Sequence, residues 1–378
     1  MQPVLKGLKQ LLMWSTITIL SLIVLLALII FVFISTSPQF GQKPQGEDLI
    51  RISQSPHYNE EGFVNLSETT TADIWEALKK MPEMLSGGDK NPQKPLPAAF
   101  SHTGLQTADS VTFITWYGHS AFLLELQGKR ILIDPMFGKV ASPTFLGSKR
   151  FAYQQPIPLE RLKNIDVVVI SHDHYDHLDY PTIQKIKNEV NHFITPLGVG
   201  SHLKSWGVAT EKITELDWWQ HTERDGILYT ACPSRHFSGR GIADRDATQW
   251  ASWVLRADTH NIYFSGDGGY GNFFSEISLN LGPFDFAMLE CGQYNQAWSN
   301  IHMMPEETVQ AGLDLNTKLA MPIHWGAFRL APHSWTDPII RFTKAARERN
   351  LPYILPTIGQ RFQLGKDYPK SEWWKEAM

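Results

Sequence analysis

The chain has 378 residues, 43% of them hydrophobic and 19% charged, with a formal net charge of −4. This is an ordinary balance for a folded protein with a large core, and it excludes a wholly disordered chain. No Lys/Arg-rich run stands out, so nothing supports a nucleic-acid partner.

Residues 1–10 form a short N-terminus carrying Lys6 and Lys9, and residues 11–34 follow without a single charge. At about 1.5 Å per residue, a helix over 11–34 reaches roughly 36 Å, enough to cross a hydrocarbon core of about 30 Å with some tilt. A cleaved signal peptide usually has a shorter apolar region and ends in small residues. Here Phe31-Val32-Phe33-Ile34 closes the run, so an uncleaved transmembrane anchor is expected. The two lysines precede it and the next Lys or Arg is Lys43. The positive-inside bias then puts residues 1–10 in the cytoplasm and the rest on the periplasmic or extracellular side, as a single-pass membrane protein.

Residues 35–109 read as a linker and pre-domain segment. Pro38, Pro44 and Pro56 among Gly, Gln and Ser mark 35–56 as juxtamembrane linker. Residues 70–85 have the pattern of a short amphipathic helix, ending near Gly87-Gly88. The catalytic domain is expected over 110–378. Residues 111–126 and 129–137 read as successive strands with turns at Gly118 and Gly128, and 165–170 as another strand. Helices are expected over 181–190, 198–206, 305–313 and 339–350, with strands between them; Pro305 and the two glutamates after it suit a helix N-terminus. Strand–helix alternation of this kind points to an α/β sandwich. Cys232 and Cys291 each close an apolar stretch and read as small core residues, with their pairing left open.

The densest chemistry lies at Ser171-His172-Asp173-His174-Tyr175-Asp176-His177, just after the apolar run Val167-Val168-Val169-Ile170. His172 and His174 are two apart, so an extended backbone puts both imidazoles on one side of the strand end. Asp176 and His177 follow as the chain turns. Such a loop offers two clusters of N and O donors, which suits two zinc ions. Four more apolar strands end in a single His or Asp, at Asp134, His236, Asp267 and His324. One such ending means little; four together point to ligands converging at the strand edges.

Taken together these residues resemble the metallo-β-lactamase superfamily over about 110–365, with its four-layer αββα sandwich. The stretches TWYGHSAFLLEL, SHDHYDHLD, ELDWWQ, PSRHFSGRG, YFSGDGGY and IHMMPEETV look more narrowly like the N-acylphosphatidylethanolamine-hydrolysing phospholipase D branch. That branch adjoins the L-ascorbate-6-phosphate lactonase-like group. The resemblance implies one zinc on His172, His174 and His236, a second on Asp176, His177 and His324, and Asp267 bridging them. It implies Asp134 as a partner orienting the metal loop, and His302 near the substrate phosphate, able to donate to an oxyanion or protonate the leaving group. Asp176 and His302 are thus the candidate catalytic pair. His119 reads as a structural or supporting residue behind the metal ligands. Of the adjacent Trp218 and Trp219, at least one is expected in the core.

The function so implied is a membrane-anchored dizinc phosphodiesterase acting on N-acylphosphatidylethanolamine or a related phospholipid. A lactonase or sugar-phosphate hydrolase of the same fold is the alternative enzyme. The non-enzyme alternative is a membrane-tethered metal-binding interaction protein.

Overall fold

The computed structural model describes residues 2–71, 79, 82–84, 86, 88–100, 110–366 and 368–378. It divides into two units, 1–40 and 41–378. The helix expected over 70–85 falls mostly outside the described residues.

The first unit is one helix, α1 (Gln2–Thr36), and a single 3-10 turn at Pro38–Phe40. Its large apolar side chains are exposed, and it is long and apolar enough to cross a membrane. Two of its hydroxyls turn inward on the helix: Thr16 Oγ1 donates to Leu12 O at 2.9 Å and Thr36 Oγ1 to Val32 O at 2.7 Å. In an apolar surround such self-satisfaction avoids the cost of a bare hydroxyl.

The second unit is built on two mixed sheets. The first holds β1 (Phe113–Trp116), β2 (Phe122–Leu126), β3 (Lys129–Ile133), β4 (Ile165–Val169), β5 (Val190–Pro196) and β6 (Ile213–Leu216). The second holds β7 (His221–Arg224), β8 (Ile227–Cys232), β9 (Ser252–Arg256), β10 (Asn261–Phe264), β11 (Phe286–Glu290) and β12 (Ala320–Ile323). A last strand, β13 (Arg361–Gln363), returns to the first sheet, giving the order β6-β5-β4-β3-β2-β1-β13; the second sheet runs β7 to β12 in sequence.

Both sheets share one plan. An antiparallel meander (β1-β2-β3, then β8-β9-β10) passes into parallel strands (β3-β4-β5-β6, then β10-β11-β12). Parallel neighbours need crossover connections, which helices supply. These include α3 (Tyr180–Ile186) and α4 (Gly200–Ser205) on the first sheet, and α5 (Phe273–Leu281) and α6 (Pro305–Asp314) on the second; α7 (Asp337–Glu348) packs on α6. This is the four-layer αββα arrangement. Phe122 on β2 meets Phe264 on β10 with ring centroids 6.5 Å apart, and Phe286 on β11 meets Phe362 on β13 at 6.0 Å. Trp253 Nε1 on β9 donates to Ile170 O at 3.0 Å, stitching the second sheet to the end of β4.

Part of the stretch read as linker is packed. Ile52, at the end of the short helix α2 (Glu47–Ile52), is fully buried, as are Leu96 and, nearly so, Phe63 and Phe100. Asp48 pairs with Lys204 and Arg51 with Glu215. The composition of 35–56 carries no sign of this, because a few anchoring side chains are enough to dock a polar segment.

Candidate metal centre

The metal-ligand candidates and Asp134 lie just beyond the C-terminal ends of strands. Asp134 follows β3, 171–177 follow β4, His236 follows β8, Asp267 follows β10 and His324 follows β12. Parallel strands in two facing sheets deliver their ends to one edge of the sandwich, so residues remote in sequence converge there. Three of the non-glycine residues at that edge, His119 (φ 55°), Asp134 (φ 41°) and His324 (φ 66°), have left-handed backbone. Such conformations cost of order 1–3 kcal/mol each and cluster at functional sites. Gly266 (φ +59°) precedes Asp267, and a Cβ there would lie 2.8 Å from Ser171 Cβ. A glycine is what allows the two ligand-bearing loops to approach.

The imidazoles of His172, His174 and His236 form one cluster. His174 Nδ1 lies 2.9 Å from His172 Nε2 and 3.2 Å from His236 Nε2. Burial, then repulsion among the rings, holds His172 and His236 well below the usual imidazole range; burial brings His174 down to about 4. Three neutral nitrogens pointing at one another leave lone pairs that a cation satisfies.

The second cluster is Asp176, His177 and His324, with His119 added. His119 Nε2 is 2.8 Å from Asp176 Oδ2, His177 Nε2 is 3.5 Å from it and His324 Nε2 3.9 Å. Asp267 stands between the clusters: Oδ2 is 3.1 Å from His177 Nε2 and 4.0 Å from both His172 Nε2 and His236 Nε2, while Oδ1 is 3.1 Å from His324 Nδ1. Burial opposes charge on His177, but the carboxylates of Asp267, Asp176 and Asp134 outweigh it and raise that imidazole well above 6.5. Burial pushes Asp267 up to about 6.

Whether these residues suit metal ions can be tested on their unmet polar atoms. His119 Nδ1, His177 Nε2, Asp267 Oδ1 and His324 Nε2 are buried and, for all the close approaches above, make no aligned hydrogen bond. A buried orphan costs roughly 1–3 kcal/mol, and three of these four belong to the residues expected to bind zinc. The donor set, imidazole and carboxylate in two groups, is the chemistry zinc takes. The residues fit.

Supporting contacts fix the loop. Asp134 accepts from Ser171 N at 2.7 Å, from Ser171 Oγ at 2.6 Å and from His177 Nδ1 at 2.6 Å. His119, fully buried, holds Asp176 rather than standing apart. Asp173, pointing away from the ligands, accepts from Gly239 N at 2.8 Å and Thr248 Oγ1 at 2.9 Å and faces His202 Nε2 at 3.2 Å. Arg240 donates to Asp173 O and, at 2.8 Å, to Leu178 O. Asn65 brackets His236, its Oδ1 accepting from His236 N at 3.0 Å and its Nδ2 donating to His236 O at 2.8 Å.

A cleft of about 310 Å³ opens over the two clusters; Asp176, Asp267, His302 and His324 reach it from the metal side, and Phe237, Trp298, Ile301 and Leu330 give it apolar walls. All ten candidate site residues therefore gather at one edge. Asn65, Arg240 and Glu290 were not expected from sequence. Glu290 ends an apolar strand just as Asp134 follows one, so the same strand-end pattern contains it; Asn65 acts on backbone groups and leaves no pattern. Trp218 is core, its Nε1 donating to Trp250 O at 2.6 Å, and Trp219 is partly exposed; neither is on a strand. Cys232 and Cys291 are buried free thiols.

The model of the beta-lactamase superfamily domain matches residues 129–325. An uncharacterised protein of Mycobacterium tuberculosis is 40% identical over 335 residues, spanning 85% of this chain and 88% of its own. The N-acyl-phosphatidylethanolamine-hydrolyzing phospholipase D 1 of Caenorhabditis elegans is 34% identical over 235 residues, 58% of this chain and 65% of its own. Among solved structures, Igni18, a metallo hydrolase from the archaeon Ignicoccus hospitalis, superposes with a TM-score of 0.52 at 20% identity, covering 68% of this chain and all of that one, a likeness of fold.

Proposed function

Because this chain belongs to the metallo-β-lactamase superfamily, in its N-acylphosphatidylethanolamine phospholipase D-like branch, we propose that it is a dizinc phosphodiesterase acting on a membrane phospholipid. It is a metal-dependent hydrolase by fold and by relatives; the substrate and the pair of zincs are the proposal. The observation that carries it is the pair of donor clusters joined by Asp267 on the floor of a cleft with an apolar wall.

In this reading His172, His174 and His236 hold one ion, Asp176, His177 and His324 the other, and Asp267 serves both, since a carboxylate has two oxygens to share. When bound, the two ions supply Lewis acidity and an activated water at neutral pH. The residues do the rest. Asp134 locks the Nδ1 side of His177 and so aims Nε2 at the centre, and His119 steadies Asp176. His302, at the cleft wall, addresses the phosphoryl group. It donates to a phosphoryl oxygen or hands a proton to the departing alcohol oxygen as water's oxygen bonds to phosphorus and the old P–O bond breaks. From N-acylphosphatidylethanolamine the products are N-acylethanolamine and phosphatidic acid.

The test is to incubate the zinc-loaded full chain, in detergent or bilayer discs, with a mixed lipid extract and to read the products by mass spectrometry. Paired release of phosphatidic acid and N-acylethanolamine is expected. Hydrolysis of soluble lactones or sugar phosphates with intact lipids would transfer the assignment to those substrates.

A further inference from the structure

Glu290 ends β11 with its carboxyl fully buried, and none of the roles above uses it. Its two oxygens have different partners. Oε2 accepts from Met303 N at 2.9 Å, and Oε1 lies 3.2 Å from His302 Nδ1. Its backbone carbonyl accepts from Thr308 Oγ1 at 2.8 Å. Glu290 is thus tied to the entry of α6 at Met303 and Thr308, both after His302 in the chain. The His302 ring stacks on His324 (centroids 5.3 Å apart, planes 17°) and meets His236 edge-on (5.3 Å, 79°). It therefore sits between residues of both donor clusters.

We propose that Glu290 is the positioning residue for His302, keeping a proton on Nδ1 and turning Nε2 into the cleft. This rests on the reading of His302 as the group that addresses the phosphoryl.

A peptide N–H can only donate, so Oε2 is committed as an acceptor to Met303. Burial pushes the Glu290 carboxyl well above the usual carboxylate range, so it stays ionised only where donors compensate its lost hydration, and Nδ1–H is the donor the geometry offers to Oε1. With Nδ1 engaged, Nε2 is the nitrogen left to exchange a proton or meet an oxyanion. The tautomer of a working histidine is set by the hydrogen bond its other nitrogen makes.

Glu290→Gln makes the idea testable because it keeps the shape and breaks the symmetry. Its single oxygen must turn to Met303 N–H, its NH₂ then faces Nδ1, and the ring answers by carrying its proton on Nε2. The probe is the zinc-loaded full chain with ¹⁵N-labelled histidine in detergent micelles at neutral pH, with His302 assigned by its loss in His302→Ala. We expect a protonated Nδ1 in the wild type and a bare one in Glu290→Gln. Zinc content should be unchanged, and kcat should fall roughly ten- to a hundredfold with little change in KM. In the His302→Ala background, Glu290→Gln should cause no further loss.

The proposal is overturned by a bare Nδ1 in the wild type, which decides the matter even if the variant does not fold. The same tautomer in both proteins, an equal loss of turnover in both backgrounds, or loss of zinc in Glu290→Gln would also overturn it; the last would make Glu290 a ligand. Full activity in His302→Ala would instead remove the phosphoryl role of His302, while the tautomer still reports on Glu290.

Discussion

At the scale of single residues, Asp267 and His302 lie within the same cluster yet call for different outcomes. Asp267 is within 4.0 Å of His172, His177 and His236 through one oxygen and 3.1 Å from His324 through the other. Asp267→Ala should lose both zinc and turnover. His302→Ala should keep zinc and lose about 10²–10⁴ in kcat, or roughly 3–5 kcal/mol of barrier. Zinc stoichiometry by elemental analysis alongside kcat separates the two, and near-normal turnover in His302→Ala would leave that ring a packing role. Asp134 allows a third comparison. Its Oδ2 meets Ser171 Oγ and His177 Nδ1, and its Oδ1 accepts from Ser171 N. Asp134→Asn keeps the left-handed turn but sets an amide NH₂ against one of these partners. Zinc affinity should fall about 10–100-fold, as for other partners of ligating histidines, and competition with a chelator would measure it. The ligand candidates were legible in the sequence because four crowd into one loop after an apolar strand and His236, Asp267 and His324 each close another. Glu290 carries the same strand-end mark at the close of β11. Arg240 and Asn65 were not legible, since their roles depend on which backbone carbonyls and amides the fold brings beside them.

At the scale of elements, the strands β1 to β4 and the helices α3, α6 and α7 lie within a few residues of where periodicity and capping place them. Asp179 caps α3, its carboxylate accepting from Thr182 N at 3.0 Å. The docked segment 41–71 was not legible, because Ile52, Phe63 and Asn65 are isolated anchors without a period. One element carries a pH dependence. His192 on β5 is 4% exposed, with Nε2 2.8 Å from Thr214 Oγ1 on β6. Burial, with Arg224 adding to it, lowers its pKa to about 4. Above 6.5 the ring is neutral in both folded and unfolded chain and pH has no effect through it. As pH falls below 6.5 the unfolded chain takes up the proton first, so stability drops between 6.5 and about 4. The loss through this one group should be on the order of 1–2 kcal/mol by pH 5. Urea midpoints at pH 7.5 and 5 should therefore fall further apart in the wild type than in His192→Gln. Equal spacing in the two proteins would mean that His192 does not sense the change.

At the scale of the whole molecule, the chain joins an apolar helix to a hydrolase unit, and each half bears on what the other is for. A cleft of about 310 Å³ is at the low end of the roughly 300–1,000 Å³ that encloses a drug-sized ligand. For the phospholipid proposed above, that volume would take a headgroup and its phosphate and leave the acyl chains outside. An enzyme of that kind works where the chains already are, and a tether of its own would keep it there. Residues 11–34 supply the length and composition for one, and α1 runs unbroken through them. We expect the full chain to stay with membranes after extraction at alkaline pH and to keep its N-terminal residues by intact mass. Lys6 and Lys9 before the span, with no cation after it until Lys43, bias the N-terminus to the cytoplasm. Protease added to the outer face of sealed spheroplasts should then digest the hydrolase unit while the membrane remains closed. A mature start beyond residue 34 would make the segment a removed leader, and protection of the hydrolase unit until the membrane is breached would reverse its orientation.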